Sequence, residues 1–173
     1  MKSSKSFVVQ FSGLKDGIHD FNFEIEKQFF EDNNFWQDIS GKLNLNLELD
    51  KRPSMLVFDF ELIGNVTIPC DRCTAPLNLD INVKEKLYVK FGEETFHETD
   101  DIIIIAETEY EIDISPYIFE FINLALPMKK LHKPGECDEE MVKTIEKYTR
   151  QEQNDNNEEI DPRWAALKNI KNN

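Results

Sequence analysis

The sequence predicts an α+β protein: an antiparallel β-rich domain, either a sheet or a partly closed barrel, with one packed helix and a C-terminal helical extension. Three observations predict it. Over most of the first two thirds of the chain, apolar and polar residues alternate with a period of two, the pattern of half-buried strands. Helical spacing of apolar residues begins only after Ser115-Pro116. The connections between alternating segments are short, which favours antiparallel neighbours.

Phe7, Val9 and Phe11 form the first apolar row, and Gly13 and Asp16-Gly17 mark a turn. His19, Phe21, Phe23 and Ile25 follow as a hairpin partner. Leu43, Leu45, Leu47 and Leu49 alternate with Asn44, Asn46 and Glu48, so this strand has one wet face. Leu56, Phe58, Phe60 and Leu62 make the next row, with Asp59 and Glu61 opposite. A long strand follows, with Leu77, Leu79, Ile81, Val83, Leu87, Val89 and Phe91 on one face and Glu85 interrupting them. Ile102 to Ile105 is a short apolar strand, and Tyr110, Ile112 and Ile114 complete the β pattern.

Ser115 as N-cap and Pro116 at the first helical position begin a helix that Pro127 stops. Ile118, Phe121, Ile122 and Ala125 recur at helical spacing and should pack on the sheet. The expected organisation is a β-rich core domain over 1–137, with its helix near 116–126, then a helix over 138–150. A flexible polar linker over 151–160 leads to a short C-terminal helix over 161–173, which carries Trp164, Leu167 and Ile170.

The chain has 173 residues, with 34 acids against 20 Lys and Arg, a formal charge of −14. Sequence-independent nucleic-acid binding draws on Lys and Arg contacts to phosphate, so such a chain suits a basic protein partner better. No N-terminal apolar stretch resembles a signal peptide. The longest uncharged apolar run, Phe121 to Met128, has eight residues, whereas a membrane helix needs about 20. Three cysteines are an odd number, which argues for reduced thiols. A cytoplasmic protein without a membrane span is expected.

Two clusters could carry chemistry. Cys70-Asp71-Arg72-Cys73 is a C-x-x-C, and His132 and Cys137 lie downstream around Pro134-Gly135. Together they form a complete Cys3His set for structural zinc, each pair on a turn that can aim two side chains at one point. Two other readings stay open: a redox pair, or small buried side chains without a metal. The second cluster is acidic. Between Lys90 and Lys129 there are ten carboxylates and no Lys or Arg. Glu93, Glu94, Glu98, Asp100, Asp101, Glu107 and Glu109, with Trp164 as an apolar second contact, would form a surface for a basic partner. The plainer reading is a solvated loop between two polar strand faces. The chain contains no calcium-loop motif, G-x-S-x-G, H-E-x-x-H, Walker loop or dinucleotide fingerprint. His19, on an apolar strand face, and His97, in a loop of the acidic block, read as structural. A closed Cys3His site also leaves no open position for water. An enzyme is not expected.

Cys70-Asp71-Arg72-Cys73, Leu124-Ala125-Leu126-Pro127 leading to His132 and Cys137, and Asp161-Pro162-Arg163-Trp164-Ala165-Ala166-Leu167 occur in this order. The combination resembles the YceD family, large ribosomal RNA subunit accumulation proteins of bacteria and plastids. The resemblance covers roughly Val66 to Ile170. It implies a non-enzymatic role in ribosome biogenesis, promoting accumulation of large-subunit ribosomal RNA. The family's gene often neighbours that of a small basic zinc-ribbon protein of the large subunit. The implied partner is therefore a basic large-subunit ribosomal protein or precursor particle, with direct RNA contact secondary. The competing reading is a zinc-stabilised acidic adaptor for another basic protein, unrelated to ribosomes.

Overall fold

A computed structural model describes residues 7–33, 39–93, 95–99 and 102–149, with backbone alone for 96–98. The chain divides into two compact units, Met1–Cys137 and Asp138–Asn173. In the first, the strands are β1 (Val8–Gln10), β2 (Gly17–Ile25), β3 (Ser40–Arg52), β4 (Met55–Pro69), β5 (Pro76–Gly92), β6 (Phe96–Thr99), β7 (Ile102–Ala106) and β8 (Glu111–Asp113). Its helices are α1 (Lys27–Asp32) and α2 (Ser115–Ala125). Six strands form an open, mostly antiparallel sheet in the order β2-β3-β4-β5-β7-β6, and β1 pairs with β8 in a two-stranded ribbon. The described strands close no barrel.

Alternation places the core. Leu45, Leu47 and Leu49 of β3 stand opposite Leu62, Phe60 and Phe58 of β4, and with Leu43 and Leu56 they fill one side of the sheet, all essentially buried. Each fully buried Leu or Phe side chain contributes roughly 1.5–3 kcal/mol of hydrophobic stabilisation. Ile118, Phe121 and Ile122 of α2 bury their stripe, and Phe121 meets Phe60 edge-on at 5.1 Å between ring centroids. Leu87 and Val89 of β5 and Ile103 and Ile105 of β7 extend the same core.

Besides α1, a helix that the sequence did not predict, the structure departs from the sequence expectation in four places. The strand at residues 8–10 does not form a hairpin with β2. Its partner is β8, with Val9 opposite Ile112, while β2 pairs along nine residues with β3 and forms an edge of the sheet. The intervening loop is tied down by Lys51, whose Nζ donates to the carbonyls of Phe11 (2.9 Å) and Leu14 (2.8 Å). Second, β7 runs parallel to β5, not antiparallel. The segment expected as a loop contains β6, an edge strand antiparallel to β7, so the chain crosses to the edge before turning back. His97 therefore belongs to a strand. Third, Ser115 is not the N-cap of α2. That position falls on Ile114, and the Asp113 carboxylate accepts from both Ser115 N (2.9 Å) and Ser115 Oγ (2.6 Å). Fourth, Tyr110 is exposed, whereas Ile112 and Ile114 are buried.

Among the described residues, the second unit holds α3 (Glu139–Tyr148). Asp138 caps it by accepting from Met141 N at 2.9 Å. Glu139 and Glu140 in its first turn and Lys147 in its last complement the helix dipole. The linker expected at 151–160 and the helix expected at 161–173 lie outside the described residues.

Candidate metal centre

Pro69 and Pro76 are the last paired residues of β4 and β5. Neither has an N–H to donate, so the hairpin ladder ends there and residues 70–75 close it as a tight turn. Cys70 N donates to Ala75 O, and Thr74 N to Cys70 O, both at 2.9 Å. Thr74 takes a left-handed backbone (φ 59°), unusual for a β-branched residue. Both thiols of the turn point inward, with Cys70 and Cys73 buried.

The segment after α2 is clamped onto this turn by a reciprocal pair of bonds. Asp71 N donates to Lys130 O, and Lys130 N donates to the Asp71 carboxylate, each at 2.7 Å. Two residues on, His132 Nε2 lies 3.0 Å from Pro76 O and donates to that carbonyl. This bond leaves Nδ1 as the acceptor nitrogen. Nδ1 faces Cys73 Sγ at 3.4 Å and Cys137 Sγ at 4.0 Å. Cys137 returns through the Pro134-Gly135 turn, in which Glu136 N donates to Lys133 O (3.0 Å) and Gly135 supplies a left-handed backbone (φ 88°).

The four candidate ligand atoms, from Cys70, Cys73, His132 and Cys137, all lie within 4.8 Å of one another. A tetrahedral zinc with bonds near 2.3 Å to sulfur would hold its ligands about 3.8 Å apart, so only a slight contraction is needed. The carbonyl partner on the far nitrogen is the outer contact that a metal-binding histidine ordinarily has. Burial pushes the Cys70 thiol up, but the N–H groups of Cys73, Arg72 and His132 outweigh it and bring its pKa down to about 6. His132 is held above the ordinary imidazole range by its bond to Pro76 O, with Cys70 and Cys73 adding to the effect and burial opposing it. Burial, then the neighbouring Cys73 and Cys70 sulfurs, push Cys137 up. Thiolate formation at one sulfur thus hinders it at another. A dication at the centre would relieve that conflict. The three cysteines form no disulfide, and the C-x-x-C lies in a hairpin turn, not at the helix N-terminus that activates thioredoxin-type thiols.

The acidic block is only partly in view. Glu93, Glu107 and Glu109 are exposed. Parallel pairing sets Gly92 beside Ala106, so Glu93 and Glu107 leave the sheet at the same end. The backbone of Glu98 belongs to β6, whereas Glu94, Asp100, Asp101 and Trp164 lie outside the described residues. His19 bonds Lys15 O through Nε2 at 2.7 Å, a structural contact.

Strand register reveals a second acidic feature. On the wet face Asp20, Glu48 and Asp59 stand side by side on β2, β3 and β4, followed by Lys86 on β5. The adjacent row runs Asn22, Asn46, Glu61 and Lys84. Ion pairs Lys86–Asp59 (2.6 Å) and Lys84–Glu61 (2.7 Å) close one side of a groove of about 640 Å³. Lys84, then Asn46, hold Glu61 below the usual carboxylate range. Asp20 and Glu48 directly oppose each other, an unfavourable like-charge pair. Each acid was visible on a wet face in the sequence, but their alignment depends on register.

The profile of the family described as "Large ribosomal RNA subunit accumulation protein YceD" matches residues 58–171. A Bacillus subtilis (strain 168) protein, printed as "Uncharacterized protein YlbN", is 30% identical over 132 residues, covering 70% of this chain and 69% of that protein. No solved structure matches the chain. No described helix is long and apolar enough to cross a membrane.

Proposed function

The chain belongs to the YceD family, and from that premise we propose that it is a non-enzymatic, cytoplasmic ribosome-assembly factor promoting accumulation of large-subunit ribosomal RNA. The observation that carries this reading is the family match over residues 58–171, which spans the whole candidate metal centre. In this reading Cys70, Cys73, His132 and Cys137 hold a structural zinc. The metal ties the β4–β5 turn to the segment after α2, as a closed four-ligand site does. Its role is to fix a surface, because four protein ligands leave no position for a reacting water.

The partner is a basic large-subunit protein, alone or within a precursor particle. A formal charge of −14 supports this reading, as do the exposed carboxylates Glu93, Glu107 and Glu109 at one end of the sheet. Surface ion pairs contribute only about 0–1 kcal/mol each, so stability gives weak reason to collect acids there. Steering a cationic partner gives a stronger one. Depleting the protein should lower large-subunit ribosomal RNA relative to small-subunit RNA, and the wild-type chain should restore the ratio. An unchanged ratio after full depletion would refute the assembly role and favour an adaptor outside the ribosome.

A further inference from the structure

Several described cations of this acidic chain are matched with carboxylates. Lys27 pairs with Glu31, Lys42 with Glu24 and Glu26, Arg52 with Asp50, Lys84 with Glu61, Lys86 with Asp59, and Lys143 with Glu139. The two segments that build the metal centre gather cations without such partners. Residues 69–76 and 128–137 carry four cations, Arg72, Lys129, Lys130 and Lys133, against two acids, Asp71 and Glu136. Among the described residues, none of these four cations makes an ion pair. Asp71 is engaged elsewhere, since its carboxylate accepts from Lys130 N. Arg72, Lys129 and Lys133 are exposed, and Lys130 is half-buried. The Arg72 contact to the cluster comes from its backbone N–H, 3.5 Å from Cys70 Sγ, so the guanidinium is not what steadies the thiolate.

The Asp71–Lys130 clamp and the Cys73–His132 contact hold the two segments together. We propose that Arg72, Lys129, Lys130 and Lys133 form a cationic rim around the metal centre that binds the phosphodiester backbone of RNA. The proposal deepens the assembly reading and rests on it, because a large-subunit precursor combines basic protein with RNA. Acidic surfaces suit the protein and repel the RNA, whereas this rim, among the described residues, gathers four cations where a polyanion can approach. An acidic polypeptide would meet the same cations, but the assembly reading gives it no role. Contact with few phosphates makes the binding weak, insensitive to sequence and steeply dependent on salt.

The test uses full-length zinc-loaded protein and a labelled single-stranded RNA of about 20 nucleotides, followed by fluorescence anisotropy at about 50 and about 200 mM salt. The wild type should bind at low salt, with a log–log salt slope near −0.7 for each phosphate contacted. The triple variant R72Q/K129Q/K133Q should lose at least about tenfold in affinity at low salt and show a shallower slope. Its zinc content and melting temperature should match the wild type, and K84Q/K86Q should bind as the wild type does. Absence of RNA binding by the wild type at low salt would overturn the proposal. So would undiminished binding by the triple variant, or equal competition by poly-glutamate of matched charge. The RNA ratio after depletion is independent of this assay: loss of large-subunit RNA without RNA binding would refute the rim and leave the assembly role standing.

Discussion

His132 has its ring orientation set from outside the ligand cluster, since the bond to Pro76 O holds Nε2 and turns Nδ1 toward the sulfurs. Protein purified without chelators should therefore contain about one zinc per chain. Cys70→Ser and His132→Ala should each contain far less by elemental analysis. Metal near zero in reduced, folded wild type would refute the site. Because thiolates and neutral imidazole are the binding forms, lowering the pH should release the metal, and release should lower the melting temperature. All four donors were legible in the sequence, because ligand chemistry is written in residue type and the spacing of each pair suits a turn. The supports of the site were not. Pro76 contributes a carbonyl that every residue has, and Asp71 looks like any surface acid until the fold brings Lys130 to it.

At the scale of elements, the β4–β5 hairpin and the segment after α2 are held together before any metal binds. Asp71→Ala removes the bond to Lys130 N and leaves Asp71 N without changing the ligands. Zinc affinity should fall by roughly tenfold, the lower end for contacts that orient ligands, in a competition titration with a chromogenic chelator. Unchanged affinity would mean that the clamp is not needed to shape the site. Gly64 makes a different demand, with a left-handed backbone (φ 157°) opposite Leu43. A Cβ there would lie 2.7 Å from Leu43 Cα and would run into Lys42 O. Gly64→Ala should cost more than about 1 kcal/mol in urea unfolding. The long strands and α2 were readable because their apolar periods extend over many residues. By contrast, α1 has six residues, and its buried Phe29 and Phe30 are adjacent, so it offers no helical period. The edge strand β6, among acids at Glu94, Glu98 and Asp100, carries no alternating apolar row. Missing it made the β5–β7 pair look antiparallel.

At the scale of the whole molecule, charge is unevenly distributed. Acids stand in register on the wet sheet face and at the end of β5 and β7, whereas the two segments that build the metal centre carry more cations than acids. Net charge was legible from composition, but its distribution required the strand register and the Asp71–Lys130 clamp. Contacts of this kind are screened over about 8 Å at physiological ionic strength and weaken further as salt rises. The direct measurement is sedimentation of cell lysate through sucrose gradients at low and at high salt, with the protein followed by immunoblot. The protein should travel with large-subunit precursor particles at low salt, leave them at high salt, and be missing from small-subunit fractions. Protein remaining at the top of the gradient even at low salt, while precursor particles are present, would contradict a role exerted by contact with the maturing large subunit.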